Sequence, residues 1–169
     1  MRALVWIAED TWQATVAQAA ADLPADADVT LLHVADTEAE SVVRAARQAL
    51  LGRSHGSGRA DAQGPAAISA QAAEELLSEA QLAFGRPART RARRGRVERE
   101  VVAAAEGMDL LILARDGDRD RLGPRSLGPA GRFVVDHAPC RVLLIWPGDA
   151  PAVAAIPPPP HAPPGGPDR

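Results

Sequence analysis

The chain has 169 residues, a length that fits one domain with a tail. Its formal net charge of −3 at pH 7 gives no electrostatic field that would attract the protein to nucleic acid or to an anionic membrane. All 19 basic side chains are arginine, which excludes mechanisms that require a lysine, such as a Walker-type phosphate site, a Schiff base or a phosphoacceptor receiver. The single cysteine, Cys140, cannot form an internal disulfide, and we therefore expect a cytoplasmic protein.

The N-terminal part of the sequence predicts a strand, a helix and a second strand. The apolar run Ala3–Ala8 stops at Glu9, far short of a membrane span of about 20 residues, and indicates a strand. A helix is predicted at Thr11–Leu23, and Val29–Val34 forms the next apolar run. This order of elements is typical of a βαβ unit in a parallel sheet.

The middle of the chain predicts a loop, two helices and a third strand. Residues 52–66 are rich in Gly, Ser and Arg without a hydrophobic cluster, which favours a mobile loop. A helix is predicted at Ser69–Phe84, and the alternating arginines of Ala88–Arg93 indicate a half-exposed edge strand. Another amphipathic helix is predicted at Val97–Ala105.

The last two strands are predicted from continuous apolar runs at Asp109–Ala114 and Arg141–Trp146. Such runs are expected of strands covered on both faces, in central or interface positions. Pro, Ala and Gly dominate the following residues, so we predict a domain at 1–148 and a disordered Pro-rich tail at 149–169. The predicted fold is α/β: a single doubly wound, Rossmann-like, five-stranded parallel sheet with flanking helices.

The segment Gly128–Ile145 resembles the C-terminal signature of the universal stress protein family. In that family a Gly-Ser or Gly-Thr opens a short helix, and His-Ala-Pro-Cys leads into the last strand; His137–Cys140 matches in sequence and in its distance from Gly128. Thr30–Val34 and Met108–Ile112 also look like the second and fourth strands of the family. The resemblance implies a five-stranded parallel sheet, often dimeric, that binds ATP in many members.

The resemblance also implies a nucleotide site whose residues are altered here. Nucleotide-binding members carry G-x-x-G, nine residues, then G-S or G-T, because glycines let backbone N–H groups approach the phosphates. Two of the three glycines are replaced, and proline removes both the hydroxyl and an N–H. An aspartate that contacts the nucleoside after the first strand is also missing. The positions of this largely degenerate site are Ala8, Val34, Arg115, Asp118, Gly128 and Pro129.

We therefore expect a non-catalytic regulatory module of the stress response, without a metal or cofactor and with weak or no conventional ATP binding. The alternative is a member that binds ATP or another anion through arginine side chains, with Arg115, Arg119 and Arg125 as candidates. Because family members commonly pair their last strands, a homodimer through Val142–Trp146 is expected, with an unidentified protein partner and no membrane or nucleic-acid partner.

Three other patterns favour structural roles over chemistry. Asp116, Asp118 and Asp120 alternate as in a calcium loop, but arginine and leucine stand where that loop needs glycine and glutamate. The arginines of Arg86–Arg99 have no interleaved aromatic residues to stack on bases, which favours a solvated edge. His33 and His137 have no catalytic partner nearby in sequence, so packing or a backbone hydrogen bond is expected for both. An inert, partly buried thiol is expected for Cys140, which has no activating base nearby in sequence.

Overall fold

The computed structural model describes residues 1–37 and 65–156. Its helices and strands are β1 (Arg2–Trp6), α1 (Trp12–Asp22), β2 (Asp28–Asp36), α2 (Pro65–Phe84), β3 (Arg89–Gly95), α3 (Val97–Ala104), β4 (Leu110–Ala114), α4 (Pro129–His137) and β5 (Arg141–Ile145). Short 3-10 turns lie at Pro124–Ser126 and Val153–Ala155. Residues 52–64 of the predicted mobile loop lie outside the described residues, and residues 65–66 begin α2. The part of the predicted tail from residue 157 onward also lies outside the described residues.

The five strands form one parallel sheet in the order β3-β2-β1-β4-β5. The central strand β1 pairs with β2 on one side and with β4 on the other, since Ala3 lies opposite both Val29 and Leu110. The strand order therefore reverses between β1 and β4, which places a crevice at the carboxyl ends of these two strands. The predicted doubly wound α/β fold is confirmed.

Two hydrophobic cores cover the two faces of the sheet. Alternate residues of β1 divide between them: Val5 belongs to the core under α1 and α2, and Leu4 to the core under α3 and α4. The interior strands β1 and β4 are buried on both sides, which explains why their sequences are continuously apolar. Fully burying a side chain such as Ile112 or Leu113 contributes about 1.5–3 kcal/mol. No helix in the described part of the chain is long and apolar enough to span a membrane.

The two edges of the sheet differ in chemical character. Strand β3 is an edge, as its arginines predict, and most of its side chains are exposed. Strand β4 is interior, but β5 is the opposite edge, and its central residues Val142, Leu143 and Leu144 are only half-buried. The expected central position is confirmed for β4, and the alternative of an interface position for β5 stays a prediction.

Candidate functional site

The crevice is bounded on one side by the ends of β1 and β2. Ala8 follows β1 and packs, half-buried, against the core under α3 and α4, and Val34 belongs to the same core with 5% exposure. The buried His33 ring joins the two strands, because its Nδ1 lies 2.9 Å from the carbonyl oxygen of Ile7. As the carbonyl can only accept, Nδ1 carries the proton in this bond. His33 therefore holds the strand ends together, the backbone role expected for it.

The other side of the crevice is a loop that folds back on itself between β4 and α4. The N–H of Gly117 donates to the carbonyl of Ser126 at 3.0 Å, and the N–H of Asp118 donates to that of Arg125 at 2.8 Å. A Cβ on Gly117 would lie 2.3 Å from the carbonyl oxygen of Arg125, so only glycine allows the two segments this close. The Ser126 hydroxyl is buried and donates to the carbonyl of Gly123 at 2.7 Å. Backbone pairing thus closes the loop.

The N-terminus of α4 is capped by the carboxylate of Asp116. Its Oδ1 accepts a hydrogen bond from the N–H of Gly128 at 2.7 Å, and its Oδ2 accepts one from the N–H of Gly131 at 3.2 Å. Pro129 is the first residue of the helix and has no N–H to offer. A carboxylate at this position is stabilised by the helix dipole and satisfies amide groups that the helix leaves unpaired.

The two glycines at this helix start are matched to the carboxylate. A Cβ on Gly131 would lie 2.5 Å from Oδ1 of Asp116, and a Cβ on Gly128 would lie 3.0 Å from Oδ2. Side chains at either position would push the carboxylate away. The glycines therefore let an internal anion approach the backbone, which is the geometry that an external phosphate would need.

Arg115 is committed to the loop and to the end of β5. Its backbone N–H donates to the carbonyl of Ile145 at 2.9 Å, and Nη1 donates to the Ser126 hydroxyl. The guanidinium carbon lies 4.8 Å from the centroid of the Trp146 ring, a cation–π distance. Its Nε is buried without a hydrogen-bond partner. This side chain holds the loop on the sheet and is not extended toward an open anion site.

The six predicted site positions come together only in part. Gly128 and Pro129 begin α4, and Arg115 lies beside them in the same loop but points to Ser126. Asp118 is exposed, and its Oδ1 accepts a hydrogen bond from the backbone N–H of Asp120 at 3.0 Å. Ala8 and Val34 belong to the hydrophobic core under α3 and α4.

Sequence reasoning missed the residues that organise this loop, namely Asp116, Ser126 and Gly131. The glycine three residues after Gly128, at the start of a helix, was a usable signal for close approach of an anion. Nothing in the sequence identified which loop carboxylate supplies it. Within residues 1–37 and 65–156, no group of three His, Cys, Asp or Glu side chains is arranged to hold a metal ion.

The two groups with shifted pKa values lie away from this loop. Asp109 precedes β4 at the opposite end of the sheet, and a hydrogen bond from the N–H of Arg2 at 2.7 Å lowers its pKa. Partial burial raises the pKa of the Cys140 thiol, with a further contribution from Asp109. A raised thiol pKa leaves less thiolate, which fits the inert role expected for Cys140.

An open groove of about 450 Å³ runs along the outer stripe of α4. The Phe133 and His137 rings stack there with centroids 4.0 Å apart, and His137 Nδ1 lies 2.8 Å from the Phe133 carbonyl oxygen. That bond gives His137 the backbone role expected for it. The groove is open to solvent. Its lining residues are Leu127, Pro129, Arg132, Phe133, Asp136 and His137.

A comparison with models of protein families identifies one family. The model of the universal stress protein family matches residues 1–145. The search of curated proteins gave no significant match. Among solved structures, the hypothetical protein MJ0577 superposes with a TM-score of 0.61 at 18% identity, covering 88% of this chain and 97% of that one.

Two further solved structures share the fold. The universal stress protein UspA from Lactobacillus plantarum superposes with a TM-score of 0.51 at 20% identity, covering 86% of this chain and 97% of that one. A universal stress protein in complex with cAMP gives a TM-score of 0.51 at 15% identity, covering 88% of this chain and 98% of that one. At these identities the structural likeness supports the shared fold alone.

Proposed function

The chain belongs to the universal stress protein family, and from that premise we propose that it is a non-catalytic, cytoplasmic regulatory module of the stress response with weak or no conventional ATP binding. One observation carries the proposal: the Asp116 carboxylate accepts hydrogen bonds from Gly128 and Gly131 at the start of α4. These are the backbone donors that a phosphate would use at such a helix start.

Conventional binding would require several unfavourable changes at once. A phosphate would have to displace Asp116 or lie beside it, and two unit charges about 4 Å apart repel by roughly 1–4 kcal/mol, depending on the local dielectric. Pro129 offers no N–H and no hydroxyl. Asp118 adds a second exposed carboxylate to the same loop. These features reduce the affinity for phosphates and leave the fold intact.

A second candidate function is binding of a nucleotide through arginine side chains. Arg119 and Arg125 are exposed on the loop, and Arg119 reaches the carbonyl oxygen of Asp10 beside the end of β1 at 3.5 Å. Guanidinium groups bind phosphates by direct charge and do not need glycine-rich backbone. The solved universal stress protein in complex with cAMP makes a nucleotide a reasonable ligand to test. Arg115, already bonded to Ser126, has no part in this candidate.

Calorimetric titration with magnesium-ATP and with cAMP separates the two candidates. We expect no saturable binding at nucleotide concentrations up to about 1 mM, the range in which the free energy of binding is only about −4 kcal/mol. Saturable micromolar binding would contradict the proposal. If that binding were lost in R119A/R125A but kept in the matched variant R99A, the arginine-mediated candidate would replace it.

We also propose that the module is a homodimer through Val142–Trp146. The support is the character of β5, an edge strand whose central apolar residues are half-buried in the single chain. Unpaired backbone groups and apolar side chains on an edge favour addition of a second strand. Trp146 at its end is held by Arg115 and is also half-buried.

Sedimentation velocity of the full chain tests the dimer. We expect a dimer at micromolar concentration and a monomer for L143D, since a carboxylate would then lie in the strand-strand contact. L82D is the matched control, because Leu82 is 81% exposed on α2 and far from that edge. A monomeric wild-type protein, or equal dissociation of both variants, would contradict this interface. Any protein partner of the module remains to be identified by copurification.

A further inference from the structure

The exposed edge formed by β3 is strongly basic. Seven arginines and one glutamate lie between Arg86 and Arg99, so the segment carries about six positive charges in a chain of net charge −3. Strand β3 ends the sheet, and no strand in the described part of the chain pairs with its outer side. Residues exposed along it include Arg89, Thr90, Arg91, Ala92 and Arg94.

Nearby carboxylates neutralise only part of this charge. Arg89 pairs with Asp28, while Arg93 lies 3.2 Å from Glu100. Arg91 lies between these two pairs and is exposed, and its side chain makes no hydrogen bond or ion pair within the described residues.

The neighbouring helix repeats the pattern. Arg96 lies 3.0 Å from Glu98, one of the two glutamates in the first turn of α3. Arg99 is exposed on this helix and, like Arg91, has no ion-pair partner among the residues described. The side chains of Arg91 and Arg99 are therefore the ones considered for a ligand.

The spacing of the arginines matches the period of an extended chain. Arg89, Arg91 and Arg93 lie opposite Thr30, Leu32 and Val34 of β2 in the parallel register. They therefore project from the same face of the sheet, about 6.6 Å apart. A strand added to this edge would place every second side chain on that face, within reach of the arginines.

We propose that the β3 edge is a docking site for an acidic, extended segment of a partner protein, bound by strand addition and by ion pairs to Arg91 and Arg99. The outer backbone groups of β3 supply main-chain hydrogen bonds, and carboxylates at alternate positions supply the charge complement. Single-stranded nucleic acid is a poorer match, because residues 86–99 contain no aromatic side chain on which bases could stack. This surface is separate from the loop considered for nucleotides.

Fluorescence anisotropy with a capped peptide of about nine residues, alternating Glu and Val, tests the proposal on the full chain. We expect saturable binding that weakens with added salt and falls about tenfold in R91E. R121E is the matched control: Arg121 is exposed, makes no ion pair among the described residues and changes the net charge equally. R121E should bind within about twofold of wild type, and R99E provides a second test should R91E lose its native circular dichroism.

Two modified probes separate strand addition from simple charge attraction. The same peptide N-methylated at alternate residues keeps its carboxylates but loses half of its main-chain donors, so we expect it to bind about tenfold more weakly. An oligonucleotide of about 12 thymidines reports nucleic-acid binding. Equal affinity for the N-methylated peptide, tighter binding of the oligonucleotide, equal effects of R91E and R121E, or no binding of the acidic peptide would each overturn the proposal.

Discussion

Replacing Asp116 by asparagine removes one charge and one of two acceptors at the start of α4. In the native loop its two oxygens accept from Gly128 at 2.7 Å and Gly131 at 3.2 Å. D116N keeps the size of the side chain, but its NH₂ group must face one of these N–H donors. Loss of a helix cap costs about 0.5–2 kcal/mol, and removing a favourable charge near a helix N-terminus costs about 0.3–1 kcal/mol.

These contributions overlap, since both describe the same carboxylate, so we expect D116N to lower the free energy of unfolding by about 1–2 kcal/mol. Urea denaturation followed by far-UV circular dichroism measures the change through the midpoint at constant slope. The matched control is D120N in the same loop: the side chain of Asp120 is exposed and makes no hydrogen bond within the described residues. We expect D120N to change the free energy of unfolding by less than about 0.5 kcal/mol relative to wild type.

Equal midpoints for D116N and D120N would refute the capping argument, because the two variants lose the same charge and differ only in the helix contact. A second check comes from salt. The interaction of a charge with a helix dipole is screened, so the difference between the variants should shrink as sodium chloride is added. A difference that grows with salt would point to a cause other than the charge.

Three further predictions concern other parts of the molecule. Iodoacetamide should modify Cys140 in the native protein several-fold more slowly than glutathione at the same pH, because burial raises its pKa, and the two rates should converge in urea; equal native rates would argue against the burial. G117A should destabilise the chain by more than 2 kcal/mol, since its Cβ would meet the Arg125 carbonyl, whereas G148A, with open space around its Cβ, should change stability by less than about 0.5 kcal/mol in the same denaturation assay. The pKa of Asp109 in the folded chain is below its ordinary value of 3.8, so the ionised carboxylate stabilises the fold above that pH, and this contribution is lost as the pH falls through the lower folded value. D109N should therefore lower the urea midpoint at pH 7, by an amount that shrinks below about pH 4. A difference between D109N and wild type that stays constant with pH would contradict this role of Asp109.

The fold was largely predictable because its interior strands are buried on both faces. The apolar runs of β1 and β4 show continuous hydrophobicity where the sheet is interior, and the arginines of β3 show alternation where it is an edge. The run of β5 is as apolar as that of β4, yet β5 is an edge in the single chain. An apolar run in the sequence predicts a strand, but it does not distinguish an interior strand from an apolar edge strand.

The candidate site was predictable by position but not by orientation. Counting from Gly128 identified Arg115 and the loop, since spacing along a chain is fixed by sequence. The direction of each side chain depends on the backbone pairing between Gly117 and Ser126, which forms only when the loop folds back. That pairing directs Asp116 toward α4 and Arg115 toward Ser126, so an arginine expected to face a ligand is an internal contact.

The unlike edges of the sheet also bear on solubility. A parallel sheet with two apolar edges could add copies head to tail, with β5 of one molecule against β3 of the next. Such a heterologous contact grows into filaments where its rotation does not close a ring. Here β5 would meet Arg91 and its neighbours, whose charges would lose water without gaining partners. In the proposed dimer, β5 would pair with itself, and the apolar edge would then be covered in a closed assembly. The arginine edge therefore disfavours addition of the apolar β5 strand of another copy, which opposes the growth of filaments.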